Sequence, residues 1–277
     1  RRFRKTFIVL GSLVILNFSA TVYLNARYPN PEWDWETIDT SKIEFPKRFL
    51  WGAATSAYQI EGDLTNNNWY VWERTKQANG RDRIMRGEVA GKAANHYKLY
   101  KEDVKLIADF GLNAYRFSIE WSRIEPQEGK FDLKAIEQYR NLIRELKRRG
   151  VEPMITLHHF TDPLWFTAKG GFEKEENLQY WLRYANRMFG EYQSEVVYWS
   201  TFNEFNLYPL SGYLEGGFPP GKKDFLLSCE VTRNMLLGHI RTYESFKKLS
   251  FSKRHQVGAI IAVLEARPFN RWFIMDW

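Results

Sequence analysis

Arg116, His158, His159, Asn203 and Glu204 are polar or ionisable residues that fall where short apolar runs of the sequence come to an end. The pair Asn203 and Glu204 has the clearest chemical meaning. In Trp199-Ser-Thr-Phe-Asn-Glu204 a β-rich run closes on an amide and a carboxyl, so the acid would project from a strand end while the amide beside it holds a hydroxyl. Partial burial at such a position would keep the carboxyl protonated for acid catalysis. Displacement at an acetal carbon with retention needs two carboxyl groups about 5 to 5.5 Å apart, one to protonate the leaving oxygen and one to attack. Only Glu204 stands out as such a group here. Spacing alone favours the plainer reading, an exposed glutamate in a loop.

The elements that would carry these residues follow from the periodicity. Short apolar runs at 49–54, 114–119, 152–158, 197–202 and 257–264 read as strands, and amphipathic stretches at 95–109, 133–149, 177–193 and 225–248 read as helices between them. Tyr97, Tyr100, Val104, Ile107 and Ala108 lie at helical spacing before Gly111. Ile136, Tyr139, Leu142, Ile143 and Leu146 do so before Gly150. Strict alternation of strand and helix implies right-handed crossovers and a parallel sheet. Two architectures fit: an open doubly wound sheet, or the first five strands of a closed eight-stranded barrel. No G-x-G-x-x-G loop follows any strand, which weakens the dinucleotide reading. Chemistry-bearing residues at the carboxyl ends of several different strands are the pattern of a barrel enzyme.

Composition narrows the class further. An apolar share of 44% is that of a globular chain with a core, so disorder is excluded as the starting point. The many aromatics suit stacking on sugar faces, but filling a core is the stronger reading. The formal charge of +7 is local: Arg1, Arg2, Arg4, Lys5 and Arg27 precede the first acid, and removing these five leaves +2 for the rest. A balanced body argues against a nucleic-acid surface. The single cysteine, Cys229, allows no intramolecular disulfide and is expected to fill core space.

The basic cluster is followed by an apolar run at 7–18, interrupted only by Gly11, Ser12 and Asn17, with a weaker one continuing to Ala26. A signal-anchor and a cleaved signal peptide ending near residues 24–26 both fit, and so, less well, does a buried helix. The anchor is favoured because apolar character outruns a signal core. Positive charge at the start places the bulk of the chain outside the cytoplasm. The expected organisation is therefore a signal-anchor or transmembrane segment at 1–30, engaging a lipid bilayer through 7–26, and a catalytic barrel at 31–277. The location is membrane-anchored and extracytoplasmic, or secreted if the segment is cleaved.

From Phe45 onward four ordered motifs together resemble glycoside hydrolase family 1, the β-glucosidase and β-galactosidase family. They are Phe49-Leu-Trp-Gly-Ala-Ala-Thr-Ser-Ala-Tyr-Gln-Ile-Glu-Gly62, Tyr115-Arg-Phe-Ser-Ile-Glu-Trp-Ser-Arg-Ile124, Thr156-Leu-His-His-Phe160 with Pro163 and Trp165, and Thr201-Phe-Asn-Glu204. The resemblance implies an α/β fold of the (β/α)₈ TIM-barrel class, represented here by about its first five units and preceded by a hydrophobic helix. It implies that Gln59 binds two hydroxyls of a terminal sugar, His159 a neighbouring one, and Asn203 the 2-hydroxyl. Glu204 would be the general acid and then the general base of a retaining double displacement. Arg116 would lie beside the nucleophile and favour its ionised form. His158 is left to structure. Glu61 and Glu120 are expected to orient neighbours or face solvent, and Trp51, Trp69, Trp72, Trp121 and Trp165 to lie in the core or at a rim.

The sequence departs from the family pattern at three places. Phe205 stands where the family usually has Pro after the acid, so the turn that aims Glu204 loses its ring constraint. Phe160 stands where many members have Trp. The segment Asn270-Arg-Trp-Phe-Ile-Met-Asp-Trp277 resembles one that normally follows a longer loop, and the nucleophile, in a Glu-Asn-Gly setting on a seventh strand, would lie beyond it. The 277 residues alone are therefore expected to be inactive. Two rivals remain: another retaining barrel glycosidase such as an endo-glucanase, which would lack Gln59 and the His159 motif, and a non-catalytic membrane-anchored carbohydrate-binding protein derived from a glycosidase. No metal or other cofactor is implied. The sugar, whether glucose, galactose or fucose, and the aglycone stay open.

Overall fold

The computed structural model describes residues 2–29, 34–250, 254–263, 267–268 and 270–276. The chain divides into two compact units, one of Arg1–Arg48 with Val263–Trp277 and one of Phe49–Ala262.

The smaller unit is built on helix α1 (Arg2–Arg27), within which Lys5–Arg27 is long and apolar enough to cross a bilayer by length and composition, a test that a signal sequence also passes. Asn17, Thr21 and Asn25, four residues apart, form a polar stripe on one face. That stripe receives the C-terminal segment: Asn17 Oδ1 accepts the Ile274 N–H at 3.3 Å, and Asn25 Nδ2 donates to the Arg271 carbonyl at 2.8 Å. Phe18 and Trp272 stack beside these bonds, 6.2 Å between ring centres. Residues 30 and 31, where the anchor segment was expected to meet the barrel, lie outside the described residues.

In the larger unit the order is β1 (Gly52–Ala54), α2 (Ala57–Ile60), α3 (Asn68–Glu73), α4 (His96–Asp109), β2 (Ala114–Ser118), α5 (Trp121–Ile124), α6 (Leu133–Arg148), β3 (Glu152–His158), α7 (Leu164–Ala168), α8 (Leu178–Tyr192), β4 (Tyr198–Phe202), α9 (Leu207–Pro209), α10 (Phe225–Leu249) and β5 (Gln256–Gly258). The strands pair in parallel in their chain order, β1-β2-β3-β4-β5. An order that never reverses, with every crossover of one hand, sends all the crossover helices to one side. A doubly wound sheet needs a reversal, so the alternation resolves in favour of the barrel.

The strand side chains alternate accordingly. Tyr115, Phe117, Ile155, Leu157 and Trp199 are buried in the core shared with the helices. Arg116, Met154, Tyr198, Ser200 and Gln256 line a cavity of about 320 Å³ on the opposite face. Each long helix buries one stripe: Ile136, Tyr139, Leu142, Ile143 and Leu146 on α6, and Trp181, Tyr184, Ala185, Met188, Phe189 and Tyr192 on α8. Asp132 and Asp224 cap α6 and α10 by accepting backbone N–H groups of the first turn. Trp181 is the pivot where helix meets sheet. It stacks on Phe202 with 4.4 Å between ring centres and donates its Nε1–H to Thr242 at 2.9 Å.

Two expectations are corrected. Cys229 is exposed on α10 instead of filling the core, because it falls off the stripe defined by Ser228, Val231, Asn234 and Met235. The strand expected at 257–264 ends at Gly258; residues 259–263 are not strand, and 264 lies outside the described residues.

Two buried carboxyls tie together the loops that leave β1, β2 and β3. Glu61 accepts the Tyr139 hydroxyl at 2.5 Å and the Arg123 Nε–H at 3.2 Å, and Arg123 lies over the Tyr97 ring. Glu120 accepts the hydroxyls of Ser122 at 2.5 Å and Thr161 at 2.9 Å, and its own N–H donates to the Tyr139 oxygen at 3.0 Å. Both glutamates thus orient neighbours. Burial pushes the Glu61 carboxyl up to about 7, with Arg123 and the Tyr139 hydroxyl pulling against it.

Trp181→Ala is expected to cost about 3–5 kcal/mol of stability, read as a lower urea midpoint. Glu61 binds its proton more tightly when folded, so that stabilisation is present in full below the ordinary glutamate range and is lost as pH rises through about 7. Between pH 4 and pH 8 the wild type should lose on the order of 3 kcal/mol relative to Glu61→Gln; parallel stability profiles for the two proteins would count against this burial effect.

Candidate active site

In the Phe49–Ala262 unit His158, His159, Asn203 and Glu204 lie at or just beyond the carboxyl ends of β3 and β4 and Gln59 follows β1 on α2, whereas Arg116, expected at a strand end, stands in the middle of β2. The end of β1 is fixed on its neighbour: the Thr55 N–H donates to the Arg116 carbonyl at 2.9 Å and the Ala57 N–H to Ser118 Oγ at 2.7 Å. This seats the short helix α2 over the end of β2. Gln59 is exposed on that helix, and with Tyr58, Trp69, His159 and Phe218 it lines a cavity of about 400 Å³. Burial and the nearby Glu73 carboxylate push the Tyr58 hydroxyl far up, so it stays neutral.

His159 is half-buried immediately after β3. Burial, then the Arg116 guanidinium and then His158, push its pKa down to about 3, so the ring is neutral at any ordinary working pH. A neutral imidazole both donates and accepts, which suits a sugar hydroxyl. Its Nδ1 is buried and finds no partner among the described residues. The next residue, Phe160, takes a left-handed backbone, φ 68°, and its carbonyl accepts from Trp69 Nε1 at 3.1 Å and Asn68 Nδ2 at 3.2 Å. His158 is buried between aromatic rings with Nε2 on Asp162 Oδ1 at 3.0 Å, a structural role.

At the end of β4 the Asn203 N–H donates to the His158 carbonyl at 2.9 Å, extending the ladder to the residue before the acid. Arg116 donates to Asn203 Oδ1 at 3.0 Å, which fixes the amide with its oxygen toward the guanidinium. Burial pushes Arg116 down, and the Glu204 carboxylate pushes it back up. Glu204 is half-buried with a left-handed φ of 45°, and its carbonyl accepts the N–H groups of Leu207 at 2.8 Å and Tyr208 at 3.2 Å. Phe205 donates its N–H to the Ile260 carbonyl at 3.4 Å, a bond proline could not make. Asn206 then grips Ala262 on both sides, accepting its N–H at 3.0 Å and donating to its carbonyl at 2.9 Å.

The residues fall into two adjacent groups. Gln59 and His159 share the cavity; Arg116, Asn203 and Glu204 form a polar cluster joined to it through the strand-end ladder and through the field of Arg116 on His159. Together they offer a carboxyl, a guanidinium, two primary amides and a neutral imidazole, a donor and acceptor set for a hydroxyl-rich ligand. Among the described residues no group of three or more His, Cys, Asp or Glu side chains could hold a metal ion. Sequence reasoning missed Asn68, Tyr58 and Phe218. Asn68 and Tyr58 lie on short helices whose places depend on distant loops, and Phe218 precedes a cis Pro219-Pro220 bond with no periodic pattern to mark it. Of the tryptophans, Trp121 is buried, Trp69 borders the cavity, and Trp51 is exposed.

The glycosyl hydrolase family 1 profile matches residues 41–273. β-Glucosidase A of Acetivibrio thermocellus is 37% identical over 213 residues, covering 76% of this chain and 47% of that protein. A 6-phospho-β-galactosidase of Leptotrichia buccalis is 36% identical over 231 residues, 82% of this chain and 48% of that one. Among solved structures, the Thermotoga maritima β-glucosidase in complex with castanospermine superposes with a TM-score of 0.76 at 30% identity, covering 82% of this chain and 51% of its own. The chain spans about half the length of the relatives it matches. With five parallel strands in sequential order as the opening of a TIM barrel, it belongs to glycosyl hydrolase family 1.

Proposed function

We propose that this chain carries the sugar-recognising and proton-donating half of a retaining β-glycosidase acting on terminal β-D-glucosyl or related residues. The observation that carries the reading is the Arg116–Asn203 hydrogen bond at the root of Glu204, one strand-end step from His159. In the first half-reaction Glu204 gives its proton to the leaving oxygen as a nucleophilic carboxylate attacks the anomeric carbon; in the second it takes a proton from the water that resolves the glycosyl-enzyme. Gln59 and neutral His159 hold the hydroxyls of the terminal sugar, and Asn203 holds the 2-hydroxyl. The nucleophile that Arg116 would keep ionised belongs to a seventh strand, outside these 277 residues. A glucoside and a 6-phosphorylated galactoside both stay within the relatives' named activities. A cavity of about 400 Å³ falls in the range of small-molecule sites, ~300–1,000 Å³.

Helix α1 supports a second part of the reading, a single membrane anchor through residues 7–26 with the barrel portion outside the cytoplasm. The alternative is a carbohydrate-binding protein that recognises without cleaving, and hydrolysis separates the two once the downstream half is present.

Castanospermine titrated into the purified chain should bind, and Gln59→Ala or His159→Ala should each weaken it by about tenfold, roughly 1.4 kcal/mol, while Glu204→Gln changes it little. Unchanged affinity in both alanine variants would remove the sugar-site assignment. Turnover of an aryl β-glucoside by the 277 residues should be negligible, and measurable hydrolysis would mean that a second carboxylate within this chain does the attacking. Co-sedimentation with phospholipid vesicles should be lost when residues 1–30 are deleted; retention in the pellet would assign membrane binding elsewhere.

A further inference from the structure

Asp162 is among the most buried acids in the molecule, 1% exposed, and the chemistry above makes no use of it. Among the described residues it forms no ion pair with Lys or Arg; its carboxylate rests on donors from three separate elements. Oδ1 accepts His158 Nε2–H at 3.0 Å from β3, and Oδ2 accepts the Tyr208 hydroxyl at 2.5 Å from α9 and Asn68 Nδ2–H at 3.2 Å from α3. Its backbone is gripped as well, the N–H donating to Asn68 Oδ1 at 2.9 Å and the carbonyl accepting the Asn68 N–H at 3.0 Å.

Each donor adjoins a residue of the sugar site. His158 precedes His159. Tyr208 donates its own N–H to the Glu204 carbonyl at 3.2 Å, closing the turn on which the acid sits. Asn68 also donates to the carbonyl of Phe160, the left-handed residue that follows His159. A buried carboxylate without a Lys or Arg partner is a poor source of stability, since desolvation offsets what its hydrogen bonds return. Its value here lies in geometry, because only a group that accepts without donating can satisfy three donors at once.

We propose that Asp162 is a positioning residue: by binding His158, Tyr208 and Asn68 together it holds His159 and the Glu204 turn in one fixed relation. The inference rests on the sugar-site reading given above. An amide at 162 would present its own N–H groups to at least one of the three donors, so one tie is lost while side-chain volume is kept.

The test is a double-mutant cycle on castanospermine binding, using the 277-residue chain as wild type, Asp162→Asn, His159→Ala and the pair. Acting through His159, Asp162→Asn should weaken binding about tenfold alone and less than about twofold once His159 is gone. Losses that multiply would mark a general structural role and overturn the proposal, as would wild-type affinity in Asp162→Asn. If that variant does not fold, Tyr208→Phe removes a single donor and should show about a threefold loss in the same cycle, with additivity again overturning it. A wild-type chain that binds no castanospermine overturns the sugar-site reading, and this inference with it; binding by wild type and Asp162→Asn alike overturns the inference alone.

Discussion

A parallel sheet whose strands follow chain order has one edge at which every strand runs out, and everything described about the site depends on that edge. Because each crossover returns along the same side, the loops after β1, β2, β3 and β4 emerge next to one another. Gln59, Arg116, His159 and Glu204, separated by up to 145 positions in sequence, become neighbours for that reason alone. The hydrogen-bond ladder does not stop at the last strand residue either. Thr55 on Arg116 and Asn203 on His158 carry it one residue further, so backbone pairing holds the first positions of the site.

Beyond those positions the ladder ends and buried polar side chains take over. Glu120 reaches from the β2 loop to Thr161, Glu61 reaches to α6 through Tyr139, and Asn68 bonds to Phe160 and Asp162. These bonds run between separate segments of chain and not within one. The result is a rim whose loops constrain one another, suited to holding two residues, Phe160 and Glu204, in left-handed backbone conformations that ordinary side chains avoid.

What could be read from the sequence follows from which forces are local. The helices were legible because their stripes are periodic and their ends carry punctuation: α6 begins after Asp132 and stops before Gly150, as the pattern implied. The strand ends and the motifs on them were legible for the same reason, and Glu152–His158 agrees to the residue. Less was visible where tertiary contact decides. The apolar run from 257 stops pairing at Gly258, although nothing in its composition marks that point. Cys229 was misplaced because residue type was used where helix phase should have been, one position from buried Ser228. Asn68 and Asp162 carry no sequence signal at all, since apart from His158 the partners that fix them are 46 to 94 residues away.

Phe205 has an effect that reaches past its own position. With proline there, the peptide before the turn would be stiffened by its own ring, independently of anything nearby. With phenylalanine, the freed N–H reaches Ile260, and Asn206 fastens Ala262. The orientation of the acid is thereby delegated from covalent geometry to an adjacent stretch of chain, so insertions or exchanges around 259–262 would be felt at the carboxyl although none of those residues lines the cavity shared by Gln59 and His159. In this chain, the region after the fifth strand acts as a steering element for the fourth.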